Sequence, residues 1–312
     1  MSQGTGTGTG KYERLLERCK SLEAIPTAVV YPCEETALSG AVEASTMGLI
    51  VPLLIGPAAK IKETAASAGL NIEELQIVDV ADGPRAAAKA VELVREGKAE
   101  ILMKGSLHTD ALMSAIVARD IGLRTSRRIS HVFVMDVPTY HKVIVITDGA
   151  INIAPSLEDK VDICQNAIDL AVSLGVEKPK VAILAAVETV TSKMPATIDA
   201  AALCKMAERG QIKGGILDGP LAFDNAISGQ AAQTKGIRSD VAGDPDILLA
   251  PDLEAGNILA KQLTFLANAD SAGMVLGARV PVILTSRADS VRSRIASCAV
   301  AMLVAHARRK QL

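Results

Sequence analysis

Short runs of β-branched and aliphatic residues alternate along the chain with longer Ala-rich stretches whose apolar positions recur at helical spacing. The short runs predict strands at 27–31, 51–55, 76–80, 101–103, 130–135 and 143–147. After a helix that starts near Ser156 they predict further strands at 181–185, 215–217, 247–250, 274–276 and 282–284. Because strands and helices alternate, we expect an α/β fold in which a parallel sheet has helices on both faces.

The composition fits a sheet that is buried on both faces. Hydrophobic residues make up 49% of the chain but aromatic residues only 2%, so the core must consist mainly of Ala, Val, Ile and Leu. The few aromatic side chains provide little surface on which nucleic-acid bases could stack. The net charge of −2, with basic and acidic residues mixed, produces no positive potential that would attract nucleic acid or an anionic membrane. We expect neither partner, so any anion must be bound by a local site.

Length and cysteine content set the expected organisation and location. A chain of 312 residues exceeds the usual domain, which predicts two lobes around separate cores or one large α/β unit. Residues 1–10 are rich in alternating Gly and Thr and are expected to be a flexible tail. No apolar run approaches the about 20 residues that span a bilayer. The five cysteines are odd in number and widely spaced, which predicts buried thiols and a cytoplasmic location.

In open parallel sheets ligands bind beyond the carboxyl ends of the strands, so the loops that follow strands are the candidate sites. The first, at 104–109, contains Lys104, Ser106, His108 and Thr109 and opens a helix. A flexible Gly, two hydroxyls and free backbone donors there could hold an anion. Equally, Thr109 could be an N-cap and Lys104 a solvated charge, and the sequence leaves both interpretations open.

Two further loops carry polar side chains after predicted strands. The stretch 147–155 contains Asp148 and Asn152 and is longer than a simple turn requires. The stretch 218–225 begins with the strand-end carboxylate Asp218, and Asp224 in it is expected to cap a helix rather than to act in catalysis.

Polar residues also concentrate after the strand predicted at 247–250. Asp252, Glu254 and Asn257 could orient a substrate. The alternative makes Asp252 a helix cap and Glu254 a first-turn carboxylate that the helix dipole favours.

The last strand leads into Ser286, Arg287 and Asp289, followed by apolar residues at helical spacing. Ser286 and Asp289 have the spacing of a capping box, which would explain both structurally. Arg287 needs another explanation. A guanidinium at a strand end beside a helix N-terminus is well placed to donate two parallel hydrogen bonds to the oxygens of a phosphate.

Several chemistries lack their sequence signatures. The chain has neither a G-x-x-x-x-G-K-[ST] phosphate loop nor a strand-linked G-x-G-x-x-G, which argues against nucleotide hydrolysis and ordinary Rossmann cofactor use. The four histidines lack the spacing of a local metal motif, and no G-x-S-x-G elbow indicates a hydrolase.

Taken together, the loops resemble those of the phosphate acetyl/butyryltransferase family. The resemblance runs from about Lys11 to the C-terminus, and the stretch 195–201 looks most like the butyryltransferase branch. It is carried, in the expected order, by Lys-Gly-Ser-Leu-His-Thr at 104–109, Thr-Asp-Gly-Ala-Ile-Asn-Ile-Ala-Pro at 147–155, Asp-Gly-Pro-Leu-Ala-Phe-Asp at 218–224, Pro-Asp-Leu-Glu-Ala-Gly-Asn at 251–257 and Thr-Ser-Arg-Ala-Asp at 285–289.

This resemblance implies reversible transfer of a short acyl group between coenzyme A and phosphate, so the partners are acyl-CoA, phosphate and acyl phosphate. It implies no metal and no cofactor other than coenzyme A as a substrate. It also implies a homodimer of chains with two αβα lobes, mostly parallel sheets and an active-site cleft between the lobes, as in isocitrate and isopropylmalate dehydrogenases. Residues 11–135 and 275–312 would form the first lobe and residues 136–274 the second.

In the acetyltransferase branch a Ser-Arg pair at the last strand is functional, and it corresponds to Ser286 and Arg287. By this resemblance Arg287 binds phosphoryl oxygens and Ser286 donates to the charge of the tetrahedral transition state. The thiol base of that branch is an Asp seven residues after the Ser, where this chain has Ser293. An arginine that the branch uses in its first lobe also has no counterpart, since Ala115 or its neighbours occupy the place.

Two other functions stay open at this stage. A metal-dependent hydroxyacid dehydrogenase has the same two-lobed shape, and Asp218 and Asp252 could imitate its metal-binding aspartates. A non-catalytic sensor of coenzyme A or acyl phosphate, inactive because the Asp is missing, would bind its ligand without turnover.

Overall fold

A computed structural model describes residues 10–286 and 289–310 of the chain. The expected flexible tail lies outside these residues except for Gly10. Eleven strands are found in the described part, and their bounds are β1 Ile25–Val30, β2 Ile50–Gly56, β3 Gln76–Asp79, β4 Ile101–Lys104, β5 Ser130–Asp136, β6 Ile144–Thr147, β7 Lys180–Leu184, β8 Ile216–Leu221, β9 Ile247–Leu249, β10 Asp270–Leu276 and β11 Val282–Ile283.

Helices alternate with these strands, as the sequence pattern predicts. Their bounds are α1 Lys11–Cys19, α2 Glu35–Thr46, α3 Ala58–Ser67, α4 Gly83–Arg95, α5 Thr109–Val117, α6 Leu157–Ser173, α7 Pro195–Glu208, α8 Phe223–Ile227, α9 Gly229–Thr234, α10 Leu253–Leu266 and α11 Val291–Arg309. Ser156 caps α6, as expected near that position. Its hydroxyl accepts from the backbone N–H of Asp159, whose carboxylate accepts in return from Ser156.

All eleven strands belong to one sheet, in the order β3-β2-β1-β4-β11-β10-β5-β6-β9-β7-β8. Neighbours are parallel except around two strands: β10 is antiparallel to β11 and β5, and β5 is antiparallel to β6. The strands β1 to β4 and β11 therefore run in one direction, and β6 to β9 run in the opposite direction. The predicted mixed α/β fold with a large, mostly parallel sheet is confirmed.

The two faces of the sheet are covered differently. On one face a single hydrophobic cluster extends under α1, α2, α3, α6, α7 and α11. On the other face there are two clusters, one under α4 and α5 and one that includes residues of α8 and α10. Between these two, β5 presents His131 and Phe133, whose rings meet edge to face at a centroid distance of 4.5 Å.

Each predicted strand is present, but β8 and β10 are longer than expected. Gly219 and Pro220 signal a turn in the sequence, yet β8 continues through both to Leu221. Proline is tolerated there because β8 is the last strand of the sheet, where one row of backbone donors needs no partner. At β10, the polar Asp270 and Ser271 pair with Asp136 and Met135 of β5 and extend the strand toward its start.

The cysteines are free thiols, and Cys19, Cys33, Cys164 and Cys298 are buried as predicted, whereas Cys204 is half-buried. Burial raises the pKa of the Cys33 thiol to about 11, so this side chain is protonated at neutral pH. None of the described helices is both long and apolar enough to cross a membrane.

Gly105 follows β4 directly, and its backbone packs closely against the end of β1. Its N–H donates to the carbonyl of Val30 at 2.8 Å, and a Cβ at this position would lie 2.5 Å from the carbonyl oxygens of both Val30 and Tyr31. We therefore expect Gly105→Ala to push the two strand ends apart and to lower stability by about 1–3 kcal/mol or more. Gly229→Ala, where a Cβ meets no atom within 4 Å, is the matched control. Equal melting temperatures for the two variants would contradict the prediction.

Candidate active site

The loop after β4 is held against the loop after β1. The hydroxyl of Ser106 donates to the carbonyl of Tyr31 at 2.8 Å and accepts from the N–H of Cys33 at 3.1 Å. Lys104 is only 4% exposed, and its Nζ lies 3.3 Å from the carbonyl oxygen of Gly105. A cationic side chain and a fixed, Gly-containing loop are thus brought together where two parallel strands end.

Helix α5 begins one residue earlier than a Thr109 cap would allow. Thr109 is its first residue, His108 occupies the N-cap position, and no side chain caps the first turn. The structure therefore does not bear out the alternative in which Thr109 is an N-cap. Both residues lie at the N-terminus of α5, where His108 is exposed and Thr109 is half-buried. The backbone donors of this first turn have no side-chain acceptor from the cap residue.

The loop after β11 carries Ser286, whose side chain is exposed. Its N–H donates to Oδ2 of Asp289 at 2.6 Å, and the N–H of Asp289 donates back to the carbonyl of Ser286 at 3.2 Å. This pairing does not start the helix as the predicted capping box would. Helix α11 begins after Ser290, whose hydroxyl accepts from the N–H of Ser293. Arg287 lies outside the described residues.

A second arginine lies beneath this loop. Arg294 is 3% exposed, and its guanidinium donates to Oγ1 of Thr285 at 2.7 Å and to the carbonyl of Ser286 at 3.1 Å. Burial lowers the pKa of Arg294, while Asp289 and Glu34 act in the opposite direction. The loop that carries Ser286 is therefore supported from inside the protein by a cation.

Asp148 and Asn152, after β6, are buried and hydrogen bonded to their own surroundings. Asp148 accepts from the N–H groups of Ala150, Ile151 and His131 and, at 2.6 Å, from Nδ2 of Asn152. Asn152 also donates to the carbonyl of Ile129 and accepts from Nε of Arg128. Four donors to one carboxylate fix the shape of this loop.

The loop after β9 lies against the loop after β6. Asn257 donates from Nδ2 to the carbonyl of Gly149 at 2.8 Å. Asp252 is the N-cap of α10 and accepts from the N–H of Ala255 at 2.8 Å, and Glu254 is in the first turn, so the capping alternative for these two residues is confirmed.

The remaining loop differs from its prediction. Asp218 lies within β8, where its carboxylate accepts from the N–H of Gly219. Ala222, not Asp224, is the N-cap of α8, and Asp224 pairs with Lys235 at 3.1 Å. The prediction that Asp224 caps a helix is wrong.

The strand directions divide the predicted site residues into two groups. The β4–β11 group consists of Lys104, Ser106, His108, Thr109, Ser286 and Asp289, and the β6–β9 group consists of Asp148, Asn152, Asp252 and Asn257. β6 and β9 run opposite to β4 and β11, so the two groups approach the middle of the sheet from opposite directions. The register aligns Ile283 at the end of β11, through Met274 and Val132, with Thr147 at the end of β6, so the carboxyl ends of the two groups meet in the same row.

His131 connects the two groups. Its backbone N–H donates to Asp148 at 3.1 Å, and its ring shares a hydrogen bond with the backbone of Leu284, two residues before Ser286. The side chain is 1% exposed, and its Nδ1 has no hydrogen-bond partner within the described structure.

The sequence pattern did not single out His131, Arg294 or Arg128, because none of the three lies in a loop that follows a predicted strand. A histidine inside a buried strand and an arginine in an apolar helical stripe are the signals that could have drawn attention to the first two. Within residues 10–286 and 289–310, no cluster of His, Cys, Asp or Glu has an arrangement that could hold a metal ion.

A cavity of about 350 Å³ lies elsewhere, lined by α1, by β5, β6 and β10 and by the end of α6. Leu15, Val134, Val145 and Leu174 are among its lining residues, and the lining includes no predicted site residue that the structure describes. The candidate chemistry is therefore associated with the strand ends and not with this cavity.

The architecture and the loops define the class of the chain. The branched-chain phosphotransacylase from Enterococcus faecalis has the same fold with a TM-score of 0.79 at 30% identity, covering 90% of this chain and 99% of that structure. The chain is thus an α/β enzyme of the phosphotransacylase type.

Sequence relatives then identify the family. Residues 84–302 match the family described as phosphate acetyl/butaryl transferase. The phosphate acetyltransferase of Rhizobium meliloti is 63% identical, with 96% of this chain and 95% of the relative covered. The phosphate butyryltransferase of Clostridium acetobutylicum is 40% identical, with coverage of 94% and 98%. The chain belongs to the phosphate acetyl/butyryltransferase family, which confirms the resemblance of the five loops.

The environment of His131 predicts a pH dependence of stability. Burial lowers its pKa to about 4, against the opposing effect of Asp148, whereas an unfolded histidine has a pKa of about 6.5. The unfolded chain therefore binds the proton first, so the folded state loses on the order of 3 kcal/mol as the pH falls from about 6.5 through 4.

We expect His131→Gln to remove this part of the pH dependence. Calorimetric melting temperatures between pH 7 and 4.5 should fall less steeply for the variant than for the parent. His108→Gln, at an exposed histidine, should keep the parental slope. Parallel slopes for the parent and His131→Gln would show that His131 does not titrate in this way.

Proposed function

We propose that this chain transfers a short acyl group reversibly between coenzyme A and inorganic phosphate, with Ser286 and Arg287 as the catalytic residues. The observation that carries the reaction is the 63% identity to a phosphate acetyltransferase over nearly the whole of both chains. The residue roles are supported by the position of Ser286, exposed where a parallel strand ends.

In the proposed arrangement residues 11–135 and 275–312 form one αβα lobe, and residues 136–274 form the other. The separate hydrophobic clusters under α4 and α5 and around α8 and α10 support this division. The substrates would lie in a cleft between the lobes, above His131 and Phe133, with the β4–β11 group on one side. An isocitrate or isopropylmalate dehydrogenase-like shape is part of the same proposal.

In the phosphate-dependent direction, an oxygen of inorganic phosphate attacks the thioester carbonyl of acyl-CoA. A tetrahedral intermediate forms, the carbon–sulfur bond breaks, and coenzyme A leaves as a thiolate that takes up a proton. Arg287 would hold phosphoryl oxygens through a bidentate contact. The hydroxyl of Ser286 would donate to the developing oxyanion, since its backbone N–H is already bonded to Asp289.

The other members of the two groups would bind or shape the substrate site. Lys104, His108 and Thr109 provide a cation and a helix N-terminus for the anionic parts of the substrates. Ser106 would hold the loop that presents them. In the β6–β9 group, Asp148 and Asn152 would fix the opposite wall through their internal hydrogen bonds. Asp252, Asn257 and Asp218 would belong to that wall.

No dedicated thiol base is part of this mechanism. Ser293 replaces the carboxylate of the acetyltransferase branch, is 9% exposed, and accepts a hydrogen bond from the hydroxyl of Ser290 at 3.2 Å. Asp289 is bonded to Ser286 and Asp252 caps α10. A free thiol with a pKa near 8.5 is about a few per cent ionised at neutral pH, which suffices if the site orients it well.

The proposal includes a cytoplasmic homodimer without metal or further cofactor, as the family resemblance implies. Exposed apolar side chains on α10, Ile258, Phe265 and Leu266, offer a surface that a second copy could cover.

The reaction predicts phosphate-dependent release of free thiol. Acetyl-, propionyl- and butyryl-CoA should each be tested with a thiol reagent, with and without phosphate at constant ionic strength, and the relative rates will give the acyl preference. Release that is equal without phosphate would indicate a thioesterase. Saturable binding of coenzyme A without turnover would indicate the sensor alternative.

The role of Ser286 predicts a loss of turnover rather than of binding. We expect Ser286→Ala to lower kcat by about 10²–10³-fold with little change in KM, because the hydroxyl acts mainly in the transition state. Ser293→Ala, one helical turn into α11, is the matched control and should keep near-normal rates. Loss of activity in a folded Ser293→Ala protein would show that this hydroxyl belongs to the mechanism.

A further inference from the structure

Arg294 is a buried cation for which the described residues provide no ion-pair partner. Its side chain lies between α11, α2 and the loop after β11, and it is 3% exposed. Two of its nitrogens donate to neutral oxygens, Oγ1 of Thr285 and the carbonyl of Ser286, while Nε has no hydrogen-bond partner within the described structure. Asp289 and Glu34 influence it electrostatically, but it forms no ion pair with any described carboxylate.

This arrangement lowers the free energy of unfolding of the ligand-free protein. A buried charge that is not paired loses its hydration without regaining an equivalent interaction. A guanidinium bonded only to neutral oxygens therefore leaves excess positive charge directly behind the loop that carries Ser286. That charge is best compensated by an anion bound on the outer side of the same loop.

We infer that Arg294 is a positioning residue for the phosphate of the substrate. It would fix Thr285 and Ser286 through its two hydrogen bonds and supply positive potential to the phosphate-binding loop without touching the phosphate. This inference rests on the proposed function of the same loop. It adds to the site a residue that supports the loop from inside the protein and does not contact the substrate.

Helix α2 is shaped to accommodate this side chain. Gly40 faces the aliphatic part of Arg294, and a Cβ on Gly40 would lie 2.8 Å from Cδ and 3.1 Å from Cβ of Arg294. The absence of a side chain at residue 40 allows the guanidinium to reach Thr285. A methyl group there should displace the guanidinium while its charge is kept.

Arg308 provides a matched control on the same helix. Its guanidinium is half-buried and donates to the carbonyls of Ala278 and Arg279, and burial lowers its pKa as well. Arg308 lies near the opposite end of α11 from Ser286, so its removal should lower the stability of the protein without changing KM for phosphate.

The test compares Arg294→Met, Arg294→Lys and Arg308→Met with the parent in the thiol-release assay. We expect Arg294→Met to raise KM for phosphate by about tenfold, while KM for acyl-CoA changes little. Tenfold is the effect expected for two unit charges roughly 12 Å apart at an effective dielectric constant of about 20. Arg294→Lys should give a smaller rise, since it keeps the charge but not the planar fork. Arg308→Met should leave KM for phosphate unchanged.

A binding measurement separates this inference from the proposed reaction. Inorganic phosphate should raise the melting temperature of the parent and of Arg308→Met more than sodium chloride does at the same ionic strength, and the rise should be lost in Arg294→Met. If the parent releases no thiol from any acyl-CoA, the proposed reaction fails but this comparison still tests Arg294.

A lower melting temperature of Arg294→Met with unchanged KM for phosphate and an unchanged phosphate-induced rise would overturn the inference, because Arg294 would then only pack α11 against α2. If Arg294→Met does not fold, Gly40→Ala decides. A raised KM for phosphate in Gly40→Ala supports the inference, and an unchanged KM in that variant contradicts it.

Discussion

The antiparallel pairing of β10 with β11 and with β5 is the constraint on which the rest of the structure depends. It joins two sets of parallel strands that run in opposite directions into one sheet, so the carboxyl ends of the two sets meet from opposite directions in the middle of the sheet. One face is covered by a continuous layer of helices, whereas the other is covered in two separate places. Between these two places β5 presents His131 and Phe133, a position that follows from this pairing.

The electrostatic organisation differs between the two sets of strand ends. After β6 the negative charge of Asp148 is surrounded by four hydrogen-bond donors and is compensated locally. After β11 the positive charge of Arg294 is bonded only to neutral oxygens. Local compensation makes the first loop rigid, and the excess charge makes the second loop receptive to an anion.

Much of the fold was predictable because the relevant signals are local. Buried apolar runs such as residues 101–103 predicted their strands, and Ser156 predicted the start of α6. The order of strands in the sheet was not predictable, since the direction of β10 depends on pairing between residues more than a hundred positions apart in sequence, such as Asp270 with Asp136. The sequence therefore predicted which loops follow strands but not that these loops approach one another from strands of opposite direction.

The candidate site was predictable only where chemistry and loop position coincide. Ser286 and Lys104 were recognised because they follow strands and match a family pattern. Arg294 was not, because its position in an apolar helical repeat conceals a contact with Thr285 that only tertiary packing creates. The expected cap Asp224 and the alternative cap Thr109 are not N-caps for a related reason, since neighbouring backbone geometry rather than residue type determines the N-cap.

The place of β11 in the sheet has a consequence for the order of assembly during synthesis. β11 lies between β4 and β10, although it is the last strand in the described chain. The strands β1 to β4 are translated early, but the edge of β4 stays unpaired until residues 282–309 have left the ribosome. A nascent chain therefore carries an open strand edge for most of its translation, and this edge can pair wrongly with other chains. Closing that edge and completing the Ser286 loop are the same late event.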